Sequence, residues 1–107
     1  MTETPSDREL ADRVIQEGDE DAFRTLYRRH TPAVYQFVLR LVGGNPHEAE
    51  DILQETWLRA TRGLEGFRWK SALRSWRTGI ALNRVTEMAR KRKRSLVEVD
   101  AKWDLPG

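Results

Sequence analysis

Cysteine is absent from this chain of 107 residues, which excludes a disulfide framework, an iron–sulfur cluster and thiol catalysis. Only two histidines, His30 and His47, remain as soft metal ligands, and we expect no metal site and no cofactor. No apolar run approaches the roughly 20 residues that a membrane span needs. The acidic N-terminus lacks the apolar core of a signal peptide. We therefore expect a soluble cytoplasmic protein without a membrane partner.

Catalytic motifs are missing as well. Gly43-Gly44 is followed by Asn-Pro and not by the Lys-Ser/Thr of a phosphate-binding loop. Neither a GxSxG motif nor an HExxH motif occurs. The two histidines have no partner at ligand spacing, and we interpret both as solvent-exposed. The sequence therefore predicts a protein that is not an enzyme.

Acidic and basic residues are unevenly distributed along the chain. Residues 1–55 carry six arginines and twelve acids, a net charge of −6, whereas residues 56–107 carry thirteen cations and five acids, a net charge of +8. This division indicates either two surfaces with different partners, the second suited to a polyanion, or two sets of solvated helix faces. Charge alone does not distinguish these alternatives.

Helix signals begin near the N-terminus. Ser6 and Glu9 have capping-box spacing and predict the start of a first helix, which Gly18 ends. A second helix should begin near Asp19 and continue for about six turns of apolar periodicity. Pro32 lies inside that pattern and predicts a kink or a short break.

Two further helices follow. Asn45, Pro46 and Glu48 form a start signal for a third helix that should end near residue 62. We expect Ser71 to cap a fourth helix that ends in the basic run at residues 90–94.

The predicted fold is all-α. It is a compact four-helix domain over residues 7–94, with a long kinked second helix and a basic C-terminal helix. We expect a disordered N-terminus at residues 1–6 and a linker or tail at residues 95–107.

Acidic side chains line one side of the third helix. Glu48, Asp51 and Glu55 are spaced i, i+3 and i+7, and Glu50 and Gln54 lie beside them. Such a ridge can dock on a basic helical surface. The alternative is that acids are merely favoured in the first turns of a helix by its dipole, which explains all of them except Glu55.

Aromatic and basic residues alternate farther along the chain. Residues 56–94 carry twelve cations and two acids, a net charge of +10. Phe67 and Trp69 lie in a loop beside the basic helix, an arrangement that suits binding of a single nucleic-acid strand. Trp76 has core spacing to its apolar neighbours, and we assign it to the core. For Trp69, between two cations, we favour a functional role.

These two patterns occur together in a known family. Asp21-Ala22-Phe23, the segment 26–30, the run AEDILQETWLRA at residues 49–60, and Phe67-Arg68 with Trp76, Ile80-Ala81 and Asn83 carry the resemblance. They resemble region 2 of bacterial extracytoplasmic-function (ECF) sigma factors. The resemblance implies a four-helix domain that binds RNA polymerase core and recognises and melts the promoter −10 element through its non-template strand.

The resemblance also implies two sets of site residues. The family's third-helix motif docks on the β′ clamp helices of the polymerase. By position, the polymerase-binding set is Glu50, Asp51, Gln54, Glu55, Trp57 and Leu58. The implied DNA-binding set is Phe67, Arg68, Trp69, Lys70, Ser71, Arg77, Asn83, Arg84, Arg90, Lys91 and Arg92.

Some features depart from the family. Trp69 and Lys70 stand where a glycine and an acid or polar residue are usual, and Gly79 stands where an arginine is common. We therefore transfer no −10 sequence. Residues 95–107 cannot form the helix-turn-helix region 4 of the family, so we expect either a fragment of a longer factor or a protein that works with region 2 alone.

Two alternatives to promoter reading stay open. In the first, the main partner of the domain is an anti-sigma factor, and the domain has little DNA-binding function. In the second, the domain is a basic helical protein that binds nucleic acid without specificity. In each case we expect a monomer.

Overall fold

Four α-helices make up the part of the chain that the structure describes. The computed structural model describes residues 4–103, with side chains through residue 98. The helices are α1 (Asp7–Glu17), α2 (Glu20–Leu41), α3 (Pro46–Gly63) and α4 (Leu73–Trp103), with a 3-10 turn at Leu64–Gly66 after α3. No strand occurs within residues 4–103, and the all-α prediction is confirmed.

The first and third helices start at their predicted caps, and the second starts next to Asp19, as predicted. The Ser6 hydroxyl accepts a hydrogen bond from the amide of Glu9 at 3.1 Å. The carboxylate of Asp19 and the side-chain carbonyl of Asn45 each accept from two amides of the turn that follows. Gly18 adopts φ 62° at the end of α1, the left-handed conformation that glycine takes without a steric penalty.

Pro32 does not interrupt α2, so the predicted alternative of a break is wrong. The helix is continuous from Glu20 to Leu41. Leu26 before the proline and Val34 and Val38 after it are buried. Packing on both sides of Pro32 therefore holds the helix together despite the missing backbone donor.

Both ends of α4 differ from prediction. The Ser71 hydroxyl donates to the Ala72 carbonyl at 3.4 Å instead of capping the helix. The Ala72 carbonyl accepts hydrogen bonds from the amides of Ser75 and Trp76 in the first turn of α4, so Ala72 takes the cap position. The helix also continues past the basic run to Trp103, and residues 95–103 contain no glycine or proline that would end it.

The structure describes only part of the two predicted flanking segments, residues 1–6 and 95–107. Residues 4–6 precede α1, and residues 1–3 of the predicted disordered N-terminus lie outside the described range. Most of the predicted tail is helical as part of α4, and residues 104–107 lie outside the described range.

The core consists of two apolar clusters. The first joins α1, the start of α2, the 3-10 turn and the start of α4, and the second joins the end of α2, α3 and the middle of α4. The first contains Leu10, Ala11, Ala22, Leu26, Leu64 and Leu73. The second contains Val34, Val38, Ala49, Ile52, Leu53 and Ala81. Because both clusters include α2 and α4, they fix the side of α4 that faces solvent.

Gly79 lies on the exposed side of α4, and its replacement should stabilise the fold. A Cβ atom added there meets nothing within 4 Å. Gly79→Ala is expected to raise the free energy of unfolding by about 1 kcal/mol, the helix-propensity difference, measured by urea denaturation. Gly63→Ala is the control, since its Cβ would lie 3.2 Å from Trp76 and its gain should be smaller. A loss of stability in Gly79→Ala would contradict the expectation.

Candidate functional site

The acidic ridge of α3, which comprises Glu48, Glu50, Asp51, Gln54 and Glu55, faces outward. Glu50, Asp51 and Gln54 are exposed, and Glu48 and Glu55 are half-buried. The same helix buries five residues on its opposite side, namely Ala49, Ile52, Leu53, Thr56 and Ala60. The amphipathic pattern of α3 therefore presents the carboxylates to solvent without cost to the core.

Glu55 belongs to an ion-pair network that sequence reasoning missed. Arg59 Nε donates to Glu55 at 3.1 Å, and its two terminal nitrogens donate to the Glu87 carboxylate at 3.0 and 2.7 Å. Arg84 lies 3.6 Å from the same carboxylate. The hydrogen bonds that Arg59 donates to Glu87 and then to Glu55 raise the pKa of Arg59, and the same bond to Glu87 lowers the pKa of Glu87. The network connects the acidic ridge to α4.

An aromatic groove lies beside the ridge, between α2 and α3. Trp57 donates its indole N–H to the Thr31 hydroxyl at 3.0 Å, and its ring centroid lies 5.1 Å from that of Tyr27 and 5.8 Å from that of Phe23. Tyr27 is 40% exposed and Leu58 is 44% exposed. Tyr27 shares the helical spacing of the apolar positions in α2, so the sequence pattern did not reveal its exposure.

An aromatic cluster anchors the segment before α4. Phe67 lies 4.6 Å from Trp76 and 4.8 Å from Trp69 between ring centroids, and all three are half-buried against the first core cluster. Trp69 therefore contacts the core while part of its surface stays exposed. Its neighbours Arg68, Lys70 and Ser71 are exposed.

The predicted DNA-binding residues of α4 differ in exposure. Asn83, Arg90, Lys91 and Arg92 are exposed and Arg84 is half-buried. Arg92 pairs with Glu48 at the start of α3. Arg77, in contrast, is 7% exposed, and burial lowers the pKa of its guanidinium. Arg77 therefore holds elements together inside the protein.

His30 is the partner of Arg77, and the prediction that His30 is solvent-exposed is wrong. His30 is 4% exposed, because it follows Leu26 and precedes Val34 on the buried side of α2. Its Nδ1 accepts a hydrogen bond from Arg77 Nε at 2.7 Å. His47 is exposed as predicted.

Asp7 extends this cluster to α1. Its carboxylate lies 2.9 Å from Arg29 Nη1 and 3.0 Å from His30 Nε2. The second approach is not aligned as a hydrogen bond, and we treat it as an electrostatic contact. Burial raises the pKa of Asp7, but the contacts with His30 and Arg29 outweigh burial and leave the pKa below its ordinary value.

Because the pKa of Asp7 is lowered in the folded state, the stability of the fold should depend on pH in the acidic range. Because the folded-state pKa lies below the unfolded value, Asp7 stabilises the fold above the unfolded value, and this stabilisation is lost as the pH falls through the folded value. Asp7→Asn should therefore be less stable than the wild type at pH 7 by a difference that shrinks toward about pH 3 in urea denaturation. Asp12→Asn, at an exposed site of α1, is the control. A difference that is constant with pH would contradict this account.

Other kinds of site receive no support within the described residues. No group of histidines and acids in residues 4–103 has the geometry to hold a metal ion. In the same range, each helix is too short or too polar to cross a membrane.

The sequence matches a family model across the region that builds these surfaces. The model of Sigma-70 region 2 matches residues 26–95, about two thirds of the chain. The chain belongs to the sigma-70 region 2 family. The match includes the acidic ridge, the aromatic cluster and α4 through its basic run, whereas α1 lies outside it.

Curated relatives of this region 2 domain are ECF sigma factors. It is 35% identical to ECF RNA polymerase sigma factor SigW of Bacillus subtilis over 74% of the chain and 42% of the relative. It is 42% identical to SigG of Mycobacterium tuberculosis over 85% of the chain and 23% of the relative. It is 35% identical to the sigma-E factor of Escherichia coli over 94% of the chain and 52% of the relative. The resemblance to region 2 of ECF sigma factors is confirmed, and the chain spans about a quarter to half of these relatives.

Proposed function

We propose that this region 2 domain acts in transcription initiation, where it binds RNA polymerase core through α3 and the −10 non-template strand through the segment 67–72 and α4. The role is one of binding, without a catalytic step, at the cytoplasmic polymerase. The observation that carries the proposal is the placement of the family motif. Its carboxylates and amide lie on the solvent side of α3 while its apolar residues fill the core.

The acidic ridge suits a basic helical partner such as the β′ clamp helices. Asp51 is exposed and has no ion pair within the described residues, so its charge is available to a partner. Glu55 uses one carboxylate oxygen for Arg59, and the other can accept from a partner. Beside these charges, Trp57 and Leu58 supply apolar area at the edge of the aromatic groove.

The segment 67–72 and α4 suit an opened DNA strand. Arg68 and Lys70 are exposed on either side of Trp69, where cations can reach phosphates and a base can stack on the exposed part of the ring. Capture of a flipped base requires stacking and hydrogen bonds that offset the unstacking cost. Asn83 offers an exposed amide for that purpose, while Arg90, Lys91 and Arg92 can contact phosphates. Arg77 contributes indirectly, because its contact with His30 holds α4 on α2.

A panel of labelled oligonucleotides tests this DNA-binding role. By fluorescence anisotropy, the chain should bind −10-like single strands more tightly than scrambled strands or duplexes, with an affinity that falls steeply with salt. Trp69→Ala should weaken the best binder about fivefold or more, the equivalent of at least ~1 kcal/mol per stacked base. Equal affinity for every strand and duplex would favour a non-specific basic binder. No binding at all would favour the alternative of an anti-sigma factor as the main partner.

A further inference from the structure

Trp69 has an unusual backbone conformation. Its φ is 59°, and it is the one residue other than glycine with a positive φ in the part of the chain that the structure describes. A bulky side chain is rare in this region of backbone space. Such a conformation persists only when surrounding contacts hold it, and it is often found where a ligand is bound.

Contacts from two directions hold the Trp69 ring. Within its own segment, the Phe67 ring packs edge-on against it at 4.8 Å and 65°. From α1, the Arg8 guanidinium carbon lies 5.7 Å from the ring centroid, over the ring, a distance typical of a cation–π contact. The first turn of α1 is itself fixed, because the neighbouring Asp7 pairs with Arg29 at 2.9 Å.

The contacts to the Trp69 ring matter because position 69 has a positive φ and carries a bulky residue. Glycine adopts a left-handed conformation without strain, so a glycine at this position would need no neighbour to hold it. A tryptophan needs packing that compensates for the strain. In this chain, Phe67 and Arg8 supply that packing.

We propose that Arg8 is a positioning residue for the segment 67–72. Its guanidinium holds the Trp69 ring and thereby the left-handed turn, which directs the exposed Arg68 and Lys70 toward the bound strand. The inference rests on the proposed function, because it assigns Arg8 a part in DNA binding. It adds α1, which lies outside the family match at residues 26–95, to the elements that shape the DNA-binding surface.

Two measurements on the full chain test the role of Arg8. The first is the indole N–H resonance of Trp69 in a two-dimensional NMR spectrum without DNA, which Arg8→Ala should shift and broaden. The second is the affinity for a −10-like single strand, which Arg8→Ala should weaken about threefold to fivefold. The slope of log affinity against log salt should stay unchanged, because Arg8 contacts no phosphate. Lys70→Ala, in contrast, should reduce that slope by about one.

Matched variants separate positioning from charge. Arg13→Ala removes another exposed arginine of α1 and should leave the Trp69 resonance and the affinity almost unchanged. In a Trp69→Gly background, where no ring needs holding, Arg8→Ala should have no more effect than Arg13→Ala. Circular dichroism checks that each variant keeps its helices.

Different results would overturn the role of Arg8 and the proposed function. An unchanged Trp69 resonance in Arg8→Ala would overturn the inference, as would an equal loss of affinity in the Trp69 and Trp69→Gly backgrounds. A salt slope that falls by one would also overturn it, since Arg8 would then contact a phosphate directly. A wild-type chain that binds no −10-like strand would instead overturn the proposed function, and the role of Arg8 in DNA binding with it.

Discussion

Asp51→Lys is expected to weaken binding of the domain to an isolated β′ clamp-helix fragment at least about 30-fold, or ~2 kcal/mol. Asp51 is exposed on α3, so its replacement by lysine disturbs no core contact. The new cation would face a basic partner, and juxtaposed like charges at an interface cost several kcal/mol. Titration calorimetry at two salt concentrations would measure the change, which should be smaller at high salt.

Asp12→Lys is the matched control for this charge reversal. Asp12 is an exposed acid on α1, away from the acidic ridge, and its reversal changes the net charge by the same amount. We expect it to alter clamp-helix affinity only slightly. Equal effects of the two reversals would show that the net charge of the domain, and not the ridge, governs binding.

His30→Ala is expected to lower the free energy of unfolding by about 2–4 kcal/mol. The substitution removes a side chain that is 4% exposed and leaves a cavity between α2 and α4. It also removes the acceptor of the 2.7 Å hydrogen bond from Arg77, so a buried guanidinium loses a partner. Urea denaturation at neutral pH would measure the loss.

His47→Ala provides the comparison, since His47 is exposed in the first turn of α3 and its loss should change stability by less than about 0.5 kcal/mol. His30→Gln should recover part of the lost stability, because its amide oxygen can accept from Arg77. If His30→Ala and His47→Ala were equally stable, the contact between His30 and Arg77 would not support the fold.

The sequence was sufficient to predict features that depend on local chemistry. Ser6 and Asn45 cap helices because their short side chains reach nearby amides, whatever the rest of the chain does. The outward position of Asp51 follows equally from helical periodicity, since Ile52 and Leu53 occupy the apolar side.

Features that depend on distant residues were not predictable. His30 lies among arginines in the sequence, and its burial depends on Asp7 from α1 and Arg77 from α4, 23 and 47 residues away. The left-handed conformation of Trp69 likewise depends on a neighbour from α1. Helical periodicity identifies the side of a helix that is buried but not the polar group that another helix brings to it.

The central claim is that α3 binds protein while the segment 67–72 and α4 bind DNA. NMR chemical-shift mapping on the 12.5 kDa chain is its most direct test. Addition of a β′ clamp-helix fragment should perturb amides of the acidic ridge and of Trp57 and Leu58. Addition of a −10-like single strand should perturb amides of residues 67–72 and of α4 from Asn83 to Arg92. Perturbation of the same amides by both ligands, or of the acidic ridge by the DNA strand, would contradict the account.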